Sequence, residues 1–216
     1  MQSNKSNAYE WRRFDKLSHD CGSLLTADDI CLFYMDRNHG GYDRSEANQK
    51  ISNLKMPVNV ENKNRLYYKN RAICMFAGDL MNLMNKFSDY EDILLVPIPP
   101  SACKQDPEYD DRLVQVCSIT NEVLGTPFAE AISQKISTKP FHKTDQERSI
   151  SRIQNNLSLN VDLIDGYKII FLIDDTLTTG AHFKACKNLI MEAIPEMQVV
   201  GVFGLDNLLM MKSIKT

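Results

Sequence analysis

Hydrophobic side chains along this chain fall into short unbroken runs and into longer stretches where they recur every three or four positions. Residues 93–100 read ILLVPIPP and residues 169–173 read IIFLI. Each run has the length and the branched side chains of a strand buried on both faces, the form strands take in parallel sheets. The first is stopped by prolines, which cannot continue a central strand. Residues 30–35 and 198–203 predict two further strands, the second expected to close the sheet after Pro195. Helical spacing lies between these strands. From about residue 70 to 87, Ile73, Phe76, Ala77, Leu80 and Met84 keep an i, i+3, i+4, i+7 repeat. Leu113, Val116, Cys117 and Thr120 share one helical face, and residues 181–194 continue a compatible pattern. Toward the amino terminus, residues 9–24 predict a short helix with Trp11, Phe14 and Leu17 or Ser18 on one side. His39-Gly40-Gly41 marks a turn, and the Asn-rich residues 59–70 read as a loop. Strands alternating with helices predict an α/β fold with a mainly parallel sheet flanked by helices.

The polar groups that follow the second run add chemistry. Residues 168–182 read KIIFLIDDTLTTGAH, so two acids and a Thr-Thr-Gly turn stand at the carboxyl end of a strand and before a helix. Open α/β sheets bind ligands at that end. Backbone N–H groups in the first helical turn lack helical partners, and with the hydroxyls of Thr178 and Thr179 they suit a phosphate. Asp174 and Asp175 suit hydrogen bonds from sugar hydroxyls. Other readings compete. An acidic pair after a strand also occurs in receiver domains and haloacid-dehalogenase phosphatases, and it can be a plain solvated strand end. The phosphatase pattern wants acids two positions apart, and Thr176 occupies the second position after Asp174, so that pattern fails.

This segment resembles the PRPP-binding signature of type I phosphoribosyltransferases: four apolar residues, an acidic pair, two more residues and Thr-Thr-Gly-x-Thr. The resemblance implies that Asp174 and Asp175 are the catalytic, ribose-contacting pair, with Thr176, Leu177, Thr178, Thr179, Gly180 and His182 completing the PRPP site. Three positions depart from it. Phe171 is bulkier than the usual aliphatic, Thr176 replaces an aliphatic, and His182 stands where a phosphate-binding hydroxyl is expected, leaving an N–H and a protonatable imidazole. Upstream, the strand at 93–100 and the loop after it match the position of the family's pyrophosphate-binding loop. Pro100, Ser101 and Lys104 are the residues so implied, and Arg112 lies where ComF-like members carry an arginine opening the next helix. Residues 135–152 hold five Lys or Arg against two acids. They resemble the mobile loop of ComF-type enzymes, which would bring Lys139, Lys143, Arg148 and Arg152 to the pyrophosphate. Each charge-assisted hydrogen bond there is worth on the order of 1.5–3 kcal/mol. A solvated loop is the alternative.

The resemblance covers residues from about 40 to 205, including ISNLK at 51–55. It implies an N-terminal segment and hood in residues 1–60 and a phosphoribosyltransferase-like core in residues 61–216, with the tail after Phe203 also serving the hood. The four-cysteine zinc module of typical ComF proteins has no counterpart, because the six cysteines are scattered without Cys-x-x-Cys spacing. Most of them are expected to be reduced core residues. Cys103, in the pyrophosphate loop, has no histidine nearby in sequence to activate it.

Composition adds exclusions. In 216 residues, a formal charge of −3 argues against a broad nucleic-acid surface. No apolar stretch approaches the roughly 18 residues of a membrane span, and the first twenty residues lack a signal-peptide core, so a cytoplasmic protein is expected. The resemblance implies transfer of ribose 5-phosphate from PRPP, with Mg2+, to an unidentified nitrogen acceptor, releasing pyrophosphate, and it leaves room for a homodimer. Two alternatives stay open. One is a regulatory module that binds PRPP or a nucleotide without turnover. The other is a ComF-like accessory protein acting through partners in DNA uptake or processing.

Overall fold

The computed structural model describes residues 10–14, 24–36, 41–59, 61–87, 92–138 and 150–206. Its centre is a five-stranded sheet in the order β1-β2-β7-β6-β3. The strands are β1 (Arg12–Arg13), β2 (Ile30–Asp36), β3 (Ile93–Pro97), β6 (Ile169–Leu177) and β7 (Gln198–Asp206). β2, β7, β6 and β3 run parallel, and only the two-residue edge strand β1 is antiparallel, against Leu32 and Phe33. A separate antiparallel pair, β4 (Ile132–Gln134) and β5 (Leu157–Leu159), lies beyond β3 in sequence. The helices are α1 (Glu46–Leu54), α2 (Lys63–Met84), α3 (Arg112–Leu124), α4 (Ile150–Asn155) and α5 (Ala181–Ala193).

The consecutive apolar residues of the long strands divide by parity between two cores. Leu94 and Val96 of β3 and Ile170 and Leu172 of β6 face α5, with Phe183, Ala185 and Ile190. Ile93, Leu95, Phe171 and Ile173 face the other way, onto Ile73, Phe76 and Leu80 of α2 and Leu113 and Val116 of α3. A sheet covered on both faces has no solvated side, which is why its strands read as unbroken apolar runs. Gly201 of β7 permits close approach on the α5 side: a Cβ there would lie 2.7 Å from Phe203, 2.9 Å from Phe183 and 3.0 Å from Cys31.

Several expectations are corrected. Residues 10–14 are not helical; Arg12 and Arg13 form the edge strand, and the remainder of the expected helix up to residue 23 lies outside the described residues. The segment 198–203 does not close the sheet but sits in its middle, between β2 and β6. Residues 63–70, expected as loop, are the first two turns of α2, capped by the Asn62 side chain accepting from the Asn64 N–H at 3.0 Å. Their polarity reflects exposure rather than the lack of a helix. β2 is paired with β7 along the sheet, and Ile51 and Leu54 of α1 share a core with α2 and α3.

Candidate functional site

The helices that follow β3 and β6 lie on opposite faces of the sheet, α3 with one core and α5 with the other. The chain therefore leaves these neighbouring strands in opposite directions, and a crevice opens between their carboxyl ends. A cavity of about 280 Å³ fills it. One wall is Ile98, Pro99, Pro100 and Ser101 after β3; the other runs from Asp174 to Thr178 and on to Gly180 and His182. The two walls are tied at their base, where the Ile98 N–H donates to the Ile173 carbonyl at 2.9 Å.

Between β6 and α5 the chain turns at Gly180, whose φ of +79° is left-handed and is adopted by glycine without the strain a side chain would bring. The Thr179 hydroxyl accepts from the Ala181 N–H at 3.4 Å. Among the described residues the backbone N–H groups of Thr178, Thr179 and Gly180 have no partner. Unpaired donors at a helix start form an anion-binding feature.

The two acids behave differently. Asp175 is buried, with its Oδ1 2.8 Å from the Lys55 ammonium and its Oδ2 accepting from Nη2 and Nε of Arg112 at 2.6 and 3.1 Å. Burial alone would raise its pKa, but these two cations outweigh it and hold the carboxyl below the ordinary range. Asp174 makes no ion pair among the described residues. Its Oδ1 accepts the Asp175 N–H at 2.7 Å. Burial, and secondarily the charge of Asp175, push its pKa up. Splitting two carboxyls in this way lets one hold a proton while the other stays ionised.

The cations are themselves placed by a longer network. Arg112 also donates to Asp110 at 2.7 Å, and Asp110 pairs with the buried Lys69 of α2 at 2.7 Å. Lys69 donates in turn to the carbonyls of Leu54 and Met56, the neighbours of Lys55, at 3.3 and 2.6 Å. Five charged side chains thus tie the end of α1 and the start of α3 to the end of β6.

Of the residues singled out in the sequence, the cavity wall brings together Pro100, Ser101, Arg112, Asp174, Asp175, Thr176, Leu177, Thr178, Gly180 and His182. Arg112 faces Asp175 and Asp110 rather than standing open as an anion ligand. Thr179 is not on the wall; its carbonyl accepts from the Leu24 N–H at 2.8 Å. Lys104 is not there either, since its ammonium pairs with Glu130 at 2.7 Å on an exposed surface. Arg152 lies exposed on α4, away from the cavity. Lys139, Lys143 and Arg148 lie outside the described residues. The solvated-strand-end reading fails for Asp175, which is 3% exposed.

Two polar wall residues were not singled out. Lys55, at the end of the ISNLK stretch, is the cavity's ammonium group, and no local signal marks it because its partner lies 120 positions away. Thr138 lines the wall with its N–H on the Ser101 carbonyl at 2.8 Å. Cys103 accepts a hydrogen bond from the Ser137 hydroxyl at 3.3 Å, which, as the largest cause, lowers its thiol pKa. Cys31, Cys117 and Cys186 are buried, and burial pushes their thiols up.

A magnesium ion would find few free ligands here. No group of three metal-ligating side chains occurs among the described residues. Both oxygens of Asp175 are already held by cations, so the chain's own offer is Asp174. Magnesium commonly takes one or two carboxylates and completes its shell with substrate phosphates and water, and a single carboxylate fits an ion brought in with its ligand. No helix among the described residues is long and apolar enough to cross a membrane. No family model and no curated protein matches this sequence.

Proposed function

We propose that this chain is a PRPP-dependent phosphoribosyltransferase of the type I fold, acting on a nitrogen acceptor. The observation that carries the reading is the unpaired turn at residues 178–180 beside an acidic pair of split ionisation, both on one crevice between parallel strands. The turn's N–H groups suit the 5'-phosphate, and the acids suit the ribose hydroxyls. Lys55 is 44% exposed and stands on the cavity, so its ammonium is free to swing to a diphosphate oxygen. Magnesium carried with PRPP would lie by Asp174 and neutralise the leaving group.

In the reaction the bond from C1 to the pyrophosphate oxygen breaks, the C1–N bond forms, and the acceptor's N–H proton must be taken up. The departing pyrophosphate is basic enough to take that proton, and Asp174, beside the magnesium, would hold the ribose hydroxyls. Positioning of the ribose and exclusion of water by the apolar wall of Ile98, Phe183 and Phe203 supply the rest.

The test is release of pyrophosphate from PRPP and magnesium by the purified protein with a panel of nitrogen bases. Release with one base, lost in Asp174→Asn, supports the reading. A second reading is favoured by one observation: both oxygens of Asp175 are already held by cations, leaving it few lone pairs for ribose. On that reading the chain binds PRPP as a regulatory module. PRPP would then raise the melting temperature while no base released pyrophosphate.

A further inference from the structure

A second buried aspartate lies behind the turn. Asp29, just before β2, has a side chain 0% exposed and pairs with Lys184 and Lys187 of α5, each at 2.8 Å. Its Oδ2 also accepts from the N–H and hydroxyl of Thr26, at 2.8 and 3.0 Å. Lys187 donates further to the Asp28 carbonyl at 3.2 Å. The two lysines hold the first two turns of α5 against residues 26–29, and neither lines the cavity.

The same segment grips the turn itself. The Leu24 N–H donates to the Thr179 carbonyl at 2.8 Å, and Leu25, 1% exposed, packs against Gly180 so closely that a Cβ on the glycine would lie 2.5 Å from its Cδ2. In a trans peptide the carbonyl and the following N–H point in opposite directions. Neither Leu24 nor Leu25 is on the cavity wall, whereas Gly180 is. Drawing the Thr179 carbonyl toward Leu24 therefore turns the Gly180 N–H away from the segment and toward the cavity. The grip is rigid at its far end, because Ile30 is paired with Val200 in the middle of the sheet.

We infer that residues 24–29 are a positioning strap for the phosphate-binding turn: Asp29 anchors it to α5, and Leu24 and Leu25 set the peptide whose N–H meets the 5'-phosphate. The inference rests on the phosphoribosyl reading above. Asp29 and Leu25 are positioning residues, acting through Gly180 rather than on the ligand.

The experiment compares binding of PRPP with binding of inorganic pyrophosphate, both with magnesium, to wild type, Asp29→Asn and Leu25→Ala. Pyrophosphate carries no 5'-phosphate, so general damage to the cavity weakens both ligands and loss of the strap weakens only PRPP. The expected result is PRPP binding about tenfold weaker in either variant, the loss of one hydrogen bond to a charged group, with pyrophosphate affinity unchanged. Amide exchange at Leu24, whose N–H is held by the Thr179 carbonyl, should quicken in the same variants. Leu25→Ala keeps the test usable if Asp29→Asn fails to fold. Wild-type binding of PRPP with unchanged affinity in the folded variants, or equal weakening of both ligands, overturns the strap alone. Failure of wild type to bind PRPP overturns the phosphoribosyl reading and this one with it.

Discussion

Among the described residues two buried aspartates each face two cations, one on the cavity and one behind it. Asp175 sits between Lys55 and Arg112, and Asp29 between Lys184 and Lys187. Lysines pull down the pKa of Asp29 against the opposing effect of burial, as Lys55 and Arg112 do for Asp175. The difference lies in access. Lys184 and Lys187 are 16% and 12% exposed over a carboxyl that is sealed, whereas Lys55 is 44% exposed and borders an open cavity. The same chemistry is thus a fixed rivet in one place and an exchangeable contact in the other. A buried ion pair is costly to break because it strands a charge, while an exposed partner can return to water.

The largest expected effect separates the two directly. Asp29→Ala leaves two confined ammonium groups without their carboxylate and should cost about 3–5 kcal/mol, read from the urea midpoint at unchanged slope. Asp175→Ala leaves Arg112 with Asp110 and frees Lys55 toward solvent, so about 1–3 kcal/mol is expected. Equal losses would erase the distinction between rivet and exchangeable contact.

Ligand binding sharpens it from the other side. PRPP with magnesium at about a hundred times its Kd should stabilise wild type by roughly 2.7 kcal/mol, seen as a rise in melting temperature. Asp175→Ala should lose that rise. A full shift in the variant would move the ligand away from this acid.

Lys55→Met should change stability by no more than about 1 kcal/mol, as for a half-exposed ion pair, yet weaken pyrophosphate binding measurably by calorimetry. Unchanged affinity would assign Lys55 to Asp175 alone.

The smallest effect is in pH. Asp174 holds its proton more tightly folded than unfolded, so its contribution to stability is complete below the unfolded carboxylate pKa of about 3.9 and drains as pH rises through its raised folded value. Asp29 and Asp175 run the opposite way: their contributions are present above about pH 3.9 and are lost as pH falls through their lowered folded values. Asp174→Asn should therefore gain on wild type as pH climbs from 4 toward neutrality in urea titrations. Parallel profiles would mean that Asp174 is solvated.

The sequence revealed most where a short stretch decided its own structure. The runs at 93–97 and 169–173 declared buried strands because both faces are covered. Gly180 and the residues around it declared a turn, since Thr-Thr-Gly before a helical pattern is a local signal. The first turns of α2 escaped detection because exposed helix and exposed loop share a polar composition, although Asn62 offered a cap. β1 escaped because Trp11 and Phe14 suit a helical stripe as well as a two-residue edge strand.

By itself, then, the chain determined which chemistry stands at the end of β6: two acids and a glycine turn, adjacent in sequence and adjacent in space. Only the tertiary structure decided how those acids ionise. Asp175 owes its low pKa to Arg112, 63 positions upstream, and to Lys55, 120 positions upstream. Only the sheet order decided that the crevice opens between β3 and β6, with β7 in the middle. Strand propensity and turn chemistry act over a few bonds, whereas charge interactions and burial depend on distance through space, which a single chain reveals only when folded.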